Sequence, residues 1–201
     1  IHISVRMLLS TSVICLGKGG NMDNSFYSPD ELAGLGLKSY GENVLISRFA
    51  RLYSPGTIDI GNHVRIDDFC ILSGMIKLGS HIHISAYCGL YGKFGIVMED
   101  YSGLSPRCTV FSATDDFSGE FLIGPMVDES LTNVTGGEVR IGKYVQLGSG
   151  CTVMPGVNIG EGVAVGAMSL ILHKLDPWKI YKGIPAICYK ERSRRLLQKF
   201  L

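Results

Sequence analysis

Residues 141–171 read IGKYVQLGSGCTVMPGVNIGEGVAVGAMSLI, and an aliphatic residue returns at every sixth position of this stretch. These residues are Ile141, Leu147, Val153, Ile159, Val165 and Ile171. An earlier part of the chain keeps the same spacing through Ile60, Ile66, Leu72, Leu78, Ile84 and Leu90. A period of six fits neither the turns of a helix nor a hairpin, and it is typical of parallel β-helices. The repeat therefore predicts an all-β solenoid.

A second series of residues keeps the same register. A small or β-branched residue stands four positions after each aliphatic: Val64, Cys70, Ile82, Cys88, Ser102, Cys108, Val145, Cys151, Val157, Val163 and Ser169. Each hexad thus predicts a short strand and a bend. Three hexads would close a triangular coil, with each strand about 4.8 Å above its counterpart in the coil below. Stacked coils would bury the aliphatic residues in one core, which no single coil can do alone.

The composition is that of one globular domain without a strongly basic surface that would bind polyanions. The chain has 201 residues, 46% of them hydrophobic, and a formal net charge of +1. This length suits a single domain with a sizeable core. So small a net charge gives no basic footprint for nucleic acid or for an anionic membrane. Small ligands and protein partners are therefore expected, and nucleic acid is not.

Four of the six cysteines occupy the small inward position of the hexad: Cys70, Cys88, Cys108 and Cys151. A thiol in such a position behaves as a small hydrophobe. The sequence has no CxxC motif, so a zinc ribbon has no support. We expect buried free thiols and a cytoplasmic location.

The first segment, residues 1–21, differs from the repeats. Its apolar run from Met7 to Leu16 is shorter than the roughly 20 residues that span a bilayer. We expect a leader or a non-native extension here, with Met22 as the biological start and no membrane span.

Residues 22–39 are predicted to form a helical cap on the open end of the solenoid. Ser28, Pro29 and Glu31 supply an N-cap, a first-turn proline and a capping-box acid. The expected helix covers about Pro29 to Gly34. Terminal repeats need such a cap because nothing else covers their core.

The solenoid itself is predicted over residues 40–175. Its repeat disappears between residues 116 and 140, and an interruption of that length indicates a functional excursion. Residues 176–201 leave the solenoid as a tail. A basic amphipathic helix is expected at its end, from about Lys190 to Phe200.

Several stretches resemble one family. The run at 148–171 and the KGIPA segment at 182–186 resemble hexapeptide acyltransferases of the galactoside and xenobiotic acetyltransferase branch. Within that branch, NSFYSPDEL (24–32), NHVRIDDFCILSG (62–74) and SATDDFSGE (112–120) are similar to sugar acetyltransferases of surface-polysaccharide (O-antigen, lipopolysaccharide) loci. Some of those enzymes act on dTDP-4-amino-4,6-dideoxyglucose.

The resemblance, which spans Met22 to Leu201, implies a single-stranded left-handed parallel β-helix. It also implies a homotrimer that binds acetyl-CoA in a cleft between neighbouring subunits, without a metal. The coenzyme-binding residues that it implies are Gly148, Ser149, Gly166, Ala167, Gly183, Pro185 and Lys190. Backbone groups of Ser149 and Ala167 would bond the pantetheine amides, and Lys190 would contact the nucleotide phosphates. The alternative role of Gly148 and Gly166 is simply to form the corners. The alternative for Lys190 is a solvated surface charge.

The family's catalytic histidine, at the start of the long loop, is replaced here by Asp115. An unperturbed aspartate has a pKa of about 3.9 against about 6.5 for histidine, so it is a poor base for an alcohol. A neutral amine can attack a thioester before it loses its proton, so a carboxylate that orients the amine is enough. We therefore predict N-acetylation over O-acetylation, with Asp115 holding the amine and backbone N–H groups stabilising the oxyanion. The adjacent Asp116 is a second candidate, since a neighbouring charge shifts pKa values.

His83 is the other candidate base, because its intrinsic pKa suits proton transfer. Arg107 and Glu120 are candidates for acceptor binding, and Arg107 could pair a diphosphate. Tyr87, Tyr91 and Phe117 could stack on a base. The plainer alternatives are an exposed strand histidine, solvated loop acids and aromatic packing.

Two rival functions remain open besides sugar O-acetylation. Zinc enzymes of the γ-type carbonic anhydrase class share the solenoid, and His63 and His81 stand 18 residues apart in one hexad position, close to His83. A zinc site needs three well-placed nitrogens, and no third ligand matches. A structural solenoid without catalysis is the second rival.

Overall fold

The hexads fold into stacked parallel coils, as predicted. The computed structural model describes residues 24–199, so the predictions for residues 1–21 and for Met22 lie outside the described residues. In chain order the strands are β1 (Ser39–Tyr40), β2 (Leu45–Ile46), β3 (Arg51–Tyr53), β4 (Ile58–Ile60), β5 (Val64–Ile66), β6 (Ile71–Leu78), β7 (Ile82–Ile84), β8 (Gly89–Met98), β9 (Gly103–Leu104), β10 (Thr109–Phe111), β11 (Ala113–Thr114), β12 (Thr135–Gly136), β13 (Val139–Ile141), β14 (Gln146–Leu147), β15 (Thr152–Val153), β16 (Asn158–Ile159), β17 (Ala164–Val165), β18 (Leu170–Ile171), β19 (Lys179–Lys182) and β20 (Ile187–Glu191). The all-β solenoid is confirmed.

The strands make the three faces of a triangular coil. An eight-stranded sheet in the order β2-β5-β7-β9-β14-β17-β19-β20 forms one face. A ten-stranded sheet provides the other two, because β6 pairs with β3 through Ile71–Ser73 and with β4 through Ile76–Leu78. Its register shifts between Gly74 and Ile76, where the strand turns the corner. The corresponding corner of β8 includes Lys93.

Both sequence series point into the core. Every one of the twelve aliphatic residues of the two quoted runs is at most 2% exposed, and so is every residue of the second series. The four inward thiols are free and buried, as predicted. Each Sγ donates to a carbonyl at the neighbouring coil, for example Cys70 to Ser85 at 3.1 Å and Cys108 to Gly148 at 3.1 Å. These thiols therefore pack as small apolar groups whose one donor is satisfied.

One corner of the coil carries a stack of rings. His63, His81, Tyr101 and Tyr144 have φ values between 55° and 61°. Their ring centroids are 4.8, 4.6 and 5.5 Å apart along the stack. A left-handed backbone costs about 1–2 kcal/mol at a residue other than glycine, and a stacked aromatic pair contributes about 0.5–1.5 kcal/mol. Ring stacking from coil to coil thus offsets the cost of the tight corner.

The N-terminal cap is a short helix, α1 (Pro29–Ala33). Ser28 and Glu31 form the predicted capping box, and Leu32 is buried against the solenoid. Gly34, expected as its last residue, is the C-cap instead. Among residues 24–199, none of the helices is long and apolar enough to cross a membrane.

The predicted C-terminal helix from about Lys190 is wrong in its first part. Lys190 lies in β20, which folds back antiparallel on β19 and extends the eight-stranded sheet. The backbone there has a free sheet edge to pair with, and this outweighs the helical pattern of the side chains. Only a 3₁₀ turn, Arg195–Lys199, follows, and Phe200 lies outside the described residues.

Candidate active site

The interruption of the repeat is a folded loop with its own hydrogen bonds. Strands β11 and β12 close its base as an antiparallel pair, with Thr114 opposite Thr135. Further out, the Leu122 N–H donates to the Leu131 carbonyl at 2.9 Å. A 3₁₀ turn, Glu129–Leu131, is capped by the Asp128 side chain. The coils resume at β13, so the excursion is slightly shorter than the predicted 116–140.

A cavity of about 440 Å³ lies beneath this loop. Its walls are Lys93, Asp115, Gly124, Pro125, Val127, Glu129, Thr132 and Val134. All but Lys93 belong to the loop, and Lys93 stands at the corner of β8. The cavity is therefore bounded by both the solenoid and the loop. Asp115, the predicted catalytic residue, lies in its wall.

Asp115 has a carboxylate that is available to a ligand. The residue is partly buried, and its backbone carbonyl accepts a hydrogen bond from the Thr114 hydroxyl at 3.1 Å. Within residues 24–199, no donor bonds its side-chain oxygens. A carboxylate in this state can accept hydrogen bonds from an incoming amine without first breaking others.

Asp116 is in a different situation, because both of its carboxylate oxygens are engaged. One accepts from the Ser118 N–H at 2.7 Å and the other from the Asn133 amide at 2.9 Å. Hydrogen bonds from the side chain and backbone of Ser118, and from Asn133, hold the pKa of Asp116 below its usual value. Its contacts favour a role in ordering the loop over the predicted role in proton transfer.

His83 lies on the eight-stranded face, away from the cavity walls. Its Nε2 is 2.8 Å from one Asp67 oxygen, while Arg65 Nε donates to the other at 2.6 Å. Burial of Asp67 opposes its ionisation, but the bonds from His83 and Arg65 outweigh it, so the pKa of Asp67 is lowered. The structure does not bring His83 together with Asp115 in one cavity.

The expected coenzyme positions lie at a corner in the last coils. The N–H groups of Ser149 and Ala167 donate no hydrogen bond within the described residues, and they are therefore free for a ligand. Gly148 is explained by packing alone, since a Cβ there would approach the Ala167 nitrogen to 2.6 Å. At Gly166 a Cβ would meet the Lys182 Cβ at 3.2 Å, a tight but less severe contact.

The tail residues form the upper end of this corner. Gly183 has a φ of 101°, and its N–H donates to the Ser169 hydroxyl at 3.0 Å. Pro185 follows a cis peptide bond. The Nζ atoms of Lys190 and Lys182 lie 5.5 and 3.7 Å from the centroid of the Tyr189 ring. The sequence reasoning missed Lys182, which adds a second cation beside Lys190.

The two predicted acceptor residues do not line the cavity. Arg107 sits at a corner with a φ of 64°, and its guanidinium lies 5.7 Å from the Tyr87 ring centroid. Glu120 is exposed in the loop, where its N–H donates to the Ser118 hydroxyl. Lys93 and Val134, which do line the cavity, were not singled out. For Lys93 the sequence held a signal, since the hexads slip by two residues between Leu90 and Met98.

Within residues 24–199, His63 and His81 have no third side chain with which to hold zinc. His63 and His81 stack on each other as predicted, but His81 also stacks on Tyr101 and His83 is paired with Asp67. Across residues 24–199, no group of three His, Cys, Asp or Glu side chains could hold a metal ion. The rings act as packing at the corner.

Comparisons with known proteins agree with this geometry. The model of the bacterial transferase hexapeptide family (six repeats) matches residues 138–173. A dTDP-4-amino-4,6-dideoxy-D-glucose acyltransferase of Escherichia coli is 40% identical over 171 residues, which cover 84% of this chain and 89% of the relative.

Solved structures of AntD, an N-acyltransferase from Bacillus cereus, superpose on the chain. The complex with dTDP and 3-hydroxybutyryl-CoA gives a TM-score of 0.86 at 50% identity, covering 88% of this chain and 95% of AntD. A variant of AntD in complex with dTDP-4-amino-4,6-dideoxyglucose and coenzyme A also gives 0.86, at 49% identity and with the same shares of the two chains covered. The chain therefore belongs to the hexapeptide-repeat acyltransferases, a family of enzymes that transfer an acyl group from coenzyme A.

Proposed function

We propose that this protein transfers an acetyl group from acetyl-CoA to the C4 amine of dTDP-4-amino-4,6-dideoxyglucose, in surface-polysaccharide biosynthesis. The observation that carries the proposal is the Asp115 carboxylate, which lines the loop cavity without an internal hydrogen bond among residues 24–199. The similarity to N-acyltransferases along most of the chain supports the amine as acceptor. The free N–H groups of Ser149 and Ala167 support a coenzyme at the adjacent corner.

The reaction needs little from the base if the acceptor is an amine. The neutral amine nitrogen attacks the thioester carbonyl carbon, and a C–N bond forms as the C–S bond breaks. The nitrogen then loses one proton, and the coenzyme leaves as a thiol after taking one up. Asp115 accepts a hydrogen bond from the amine, which aims the nitrogen lone pair and favours proton loss as positive charge develops.

Cations near the cavity and the corner suit the phosphates of the two substrates. Lys93 in the cavity wall would face a sugar diphosphate. Lys182 and Lys190, both near the Tyr189 ring, would face the nucleotide phosphates of the coenzyme. Charge-assisted hydrogen bonds of this kind are roughly twice as strong as neutral ones.

A homotrimer is part of the proposal. The loop exposes apolar side chains, among them Phe117 at 78% and Met126 at 94%. Exposed apolar side chains concentrated in one loop support a contact with another surface, and a second copy of the chain is the proposed one. The four buried thiols agree with a proposed location in the reducing cytoplasm.

The test is a set of nucleotide-linked sugars offered with acetyl-CoA, with thiol release as the readout and mass spectrometry of the product. Formation of an amide on dTDP-4-amino-4,6-dideoxyglucose is expected. The matched acceptor with a hydroxyl in place of the amine is expected to be inert. Activity on the hydroxyl acceptor alone would favour the O-acetyltransferase instead.

A further inference from the structure

We infer that Val134 makes the acceptor site selective for a sugar whose C6 is a methyl group. The inference rests on the proposed function, since it places the sugar amine at Asp115. It adds a specificity-determining residue that touches the part of the sugar next to the reacting nitrogen.

The position of Val134 follows from the strand register at the loop base. Strands β11 and β12 pair with Thr114 opposite Thr135, and the next residues outward on the two segments are Asp115 and Val134. The pair after that is joined by a side-chain hydrogen bond of 2.9 Å from Asn133 to Asp116. A side-chain bond thus still joins the two segments just beyond the ends of β11 and β12.

Both members of the Asp115–Val134 pair line the same cavity. A carboxylate and an isopropyl group therefore face one ligand from adjacent positions. Pro125 and Val127 extend the apolar part of the wall. The Thr132 hydroxyl, a neutral polar group of that wall, already donates to the Glu129 carbonyl at 2.9 Å.

This pairing of groups matches the chemistry of a 4-amino-4,6-dideoxyhexose. Its amine is on C4 and its methyl group is on C5, so the two are neighbours on the ring. An amine bonded to Asp115 brings the methyl group to Val134. A C6 hydroxyl at that place would lose water against an apolar wall, which costs about 1–3 kcal/mol without a new partner.

The size of the expected selectivity is limited. An apolar pocket rejects an analogue that merely adds a hydroxyl by about 10²-fold at most. We therefore expect kcat/KM for the 6-deoxy acceptor to exceed that for its 6-hydroxy counterpart by about 10- to 100-fold.

The test compares dTDP-4-amino-4,6-dideoxyglucose with dTDP-4-amino-4-deoxyglucose in the unmodified protein and in Val134→Thr, which keeps the shape and adds a hydroxyl. The ratio of the two kcat/KM values should fall about tenfold in Val134→Thr. Val134→Ala, which removes the methyl contact without adding polarity, should lower the ratio in the same direction. Ile123→Thr changes an exposed aliphatic residue of the same loop outside the cavity wall, and its ratio should equal that of the unmodified protein.

The outcomes separate this inference from the function beneath it. If the unmodified protein acylates the 6-deoxy sugar but both Val134 variants keep its ratio within twofold, Val134 is not the selective residue and the function stands. Inactivity of the unmodified protein toward both amino sugars would overturn the proposed function and this inference together.

Discussion

The solenoid and the loop differ in the burial of their apolar side chains and in the hydrogen bonds that hold them. In the solenoid, inward residues such as Leu90 and Ile141 are fully buried, and each coil bonds to the next through its backbone. In the loop, apolar residues such as Phe117 and Met126 are exposed, and side chains such as Asn133 provide much of the internal bonding. The buried apolar side chains are concentrated in the repeat, and Asp115, the proposed amine-binding group, lies where the repeat stops.

The sharpest test of this division is Asp115→Asn. The amide keeps the shape but loses the charge that holds the amine and favours its proton loss, so kcat should fall about 10²- to 10⁴-fold. The thermal unfolding midpoint should stay within 1–2 °C, roughly the scatter of a neutral surface change. Steady-state kinetics and calorimetric binding of coenzyme A check both parts.

Asp128→Asn is the matched control for that variant. It alters another carboxylate of the same loop, one that caps a turn and lies outside the cavity wall. Its kcat should change less than threefold, in keeping with a partial loss of one cap bond. Equal losses in the two variants would mean that the loop acts only as a folded unit.

The reverse effect is expected for Leu90→Ala in the solenoid. Leu90 is fully buried, and truncating such a residue costs about 2–5 kcal/mol of unfolding free energy. Activity at low temperature should be retained, because the cavity is lined by other residues. Denaturant unfolding at fixed protein concentration measures the loss, and Leu172→Ala, at an exposed leucine, should cost less than about 0.5 kcal/mol.

Asn133→Ala tests whether the loop must be held in one shape. The variant removes the 2.9 Å bond to Asp116, which joins the two segments that carry Asp115 and Val134. One hydrogen bond contributes about 0.5–1.5 kcal/mol, so kcat/KM should fall roughly three- to tenfold. Limited proteolysis should cut the loop faster while the solenoid stays intact. Unchanged kinetics with faster cutting would show that loop order does not govern turnover.

The smallest effect concerns pH and the Asp67 pair on the solenoid face. The pKa of Asp67 is lowered below its ordinary 3.8 in the folded protein. Its ion pairs therefore stabilise the fold above the unfolded pKa, and this contribution is lost as the pH falls through the lower folded pKa. Near pH 6, Asp67→Asn should have a lower unfolding midpoint than the unmodified protein. Between pH 6 and pH 3, the midpoint of the variant should fall by less than that of the unmodified protein. Parallel pH profiles of the two proteins would contradict this.

Residue spacing predicted the repeat well because the six consecutive residues of each hexad determine which side chains are buried. All twelve quoted aliphatic residues and all four thiols lie inside, as their period required. The capping box at Ser28 and Glu31 is equally local. The cavity was not predictable in the same way, because Lys93 and Val134 meet only after the coils have stacked. Strand β20 was missed because its five residues are all exposed and show no alternation.

The way the loop leaves the coils has a consequence for how such proteins diversify. Strand β10, before the loop, and β13, after it, both pair in register with the same strand, β8. The loop departs and returns through one antiparallel pair, so its length does not shift the coils above it. A replacement loop that keeps β11 and β12 would be tolerated by the fold as an exchangeable part. Acceptor preference could then be rewritten by recombination at two short segments, without re-evolving a core.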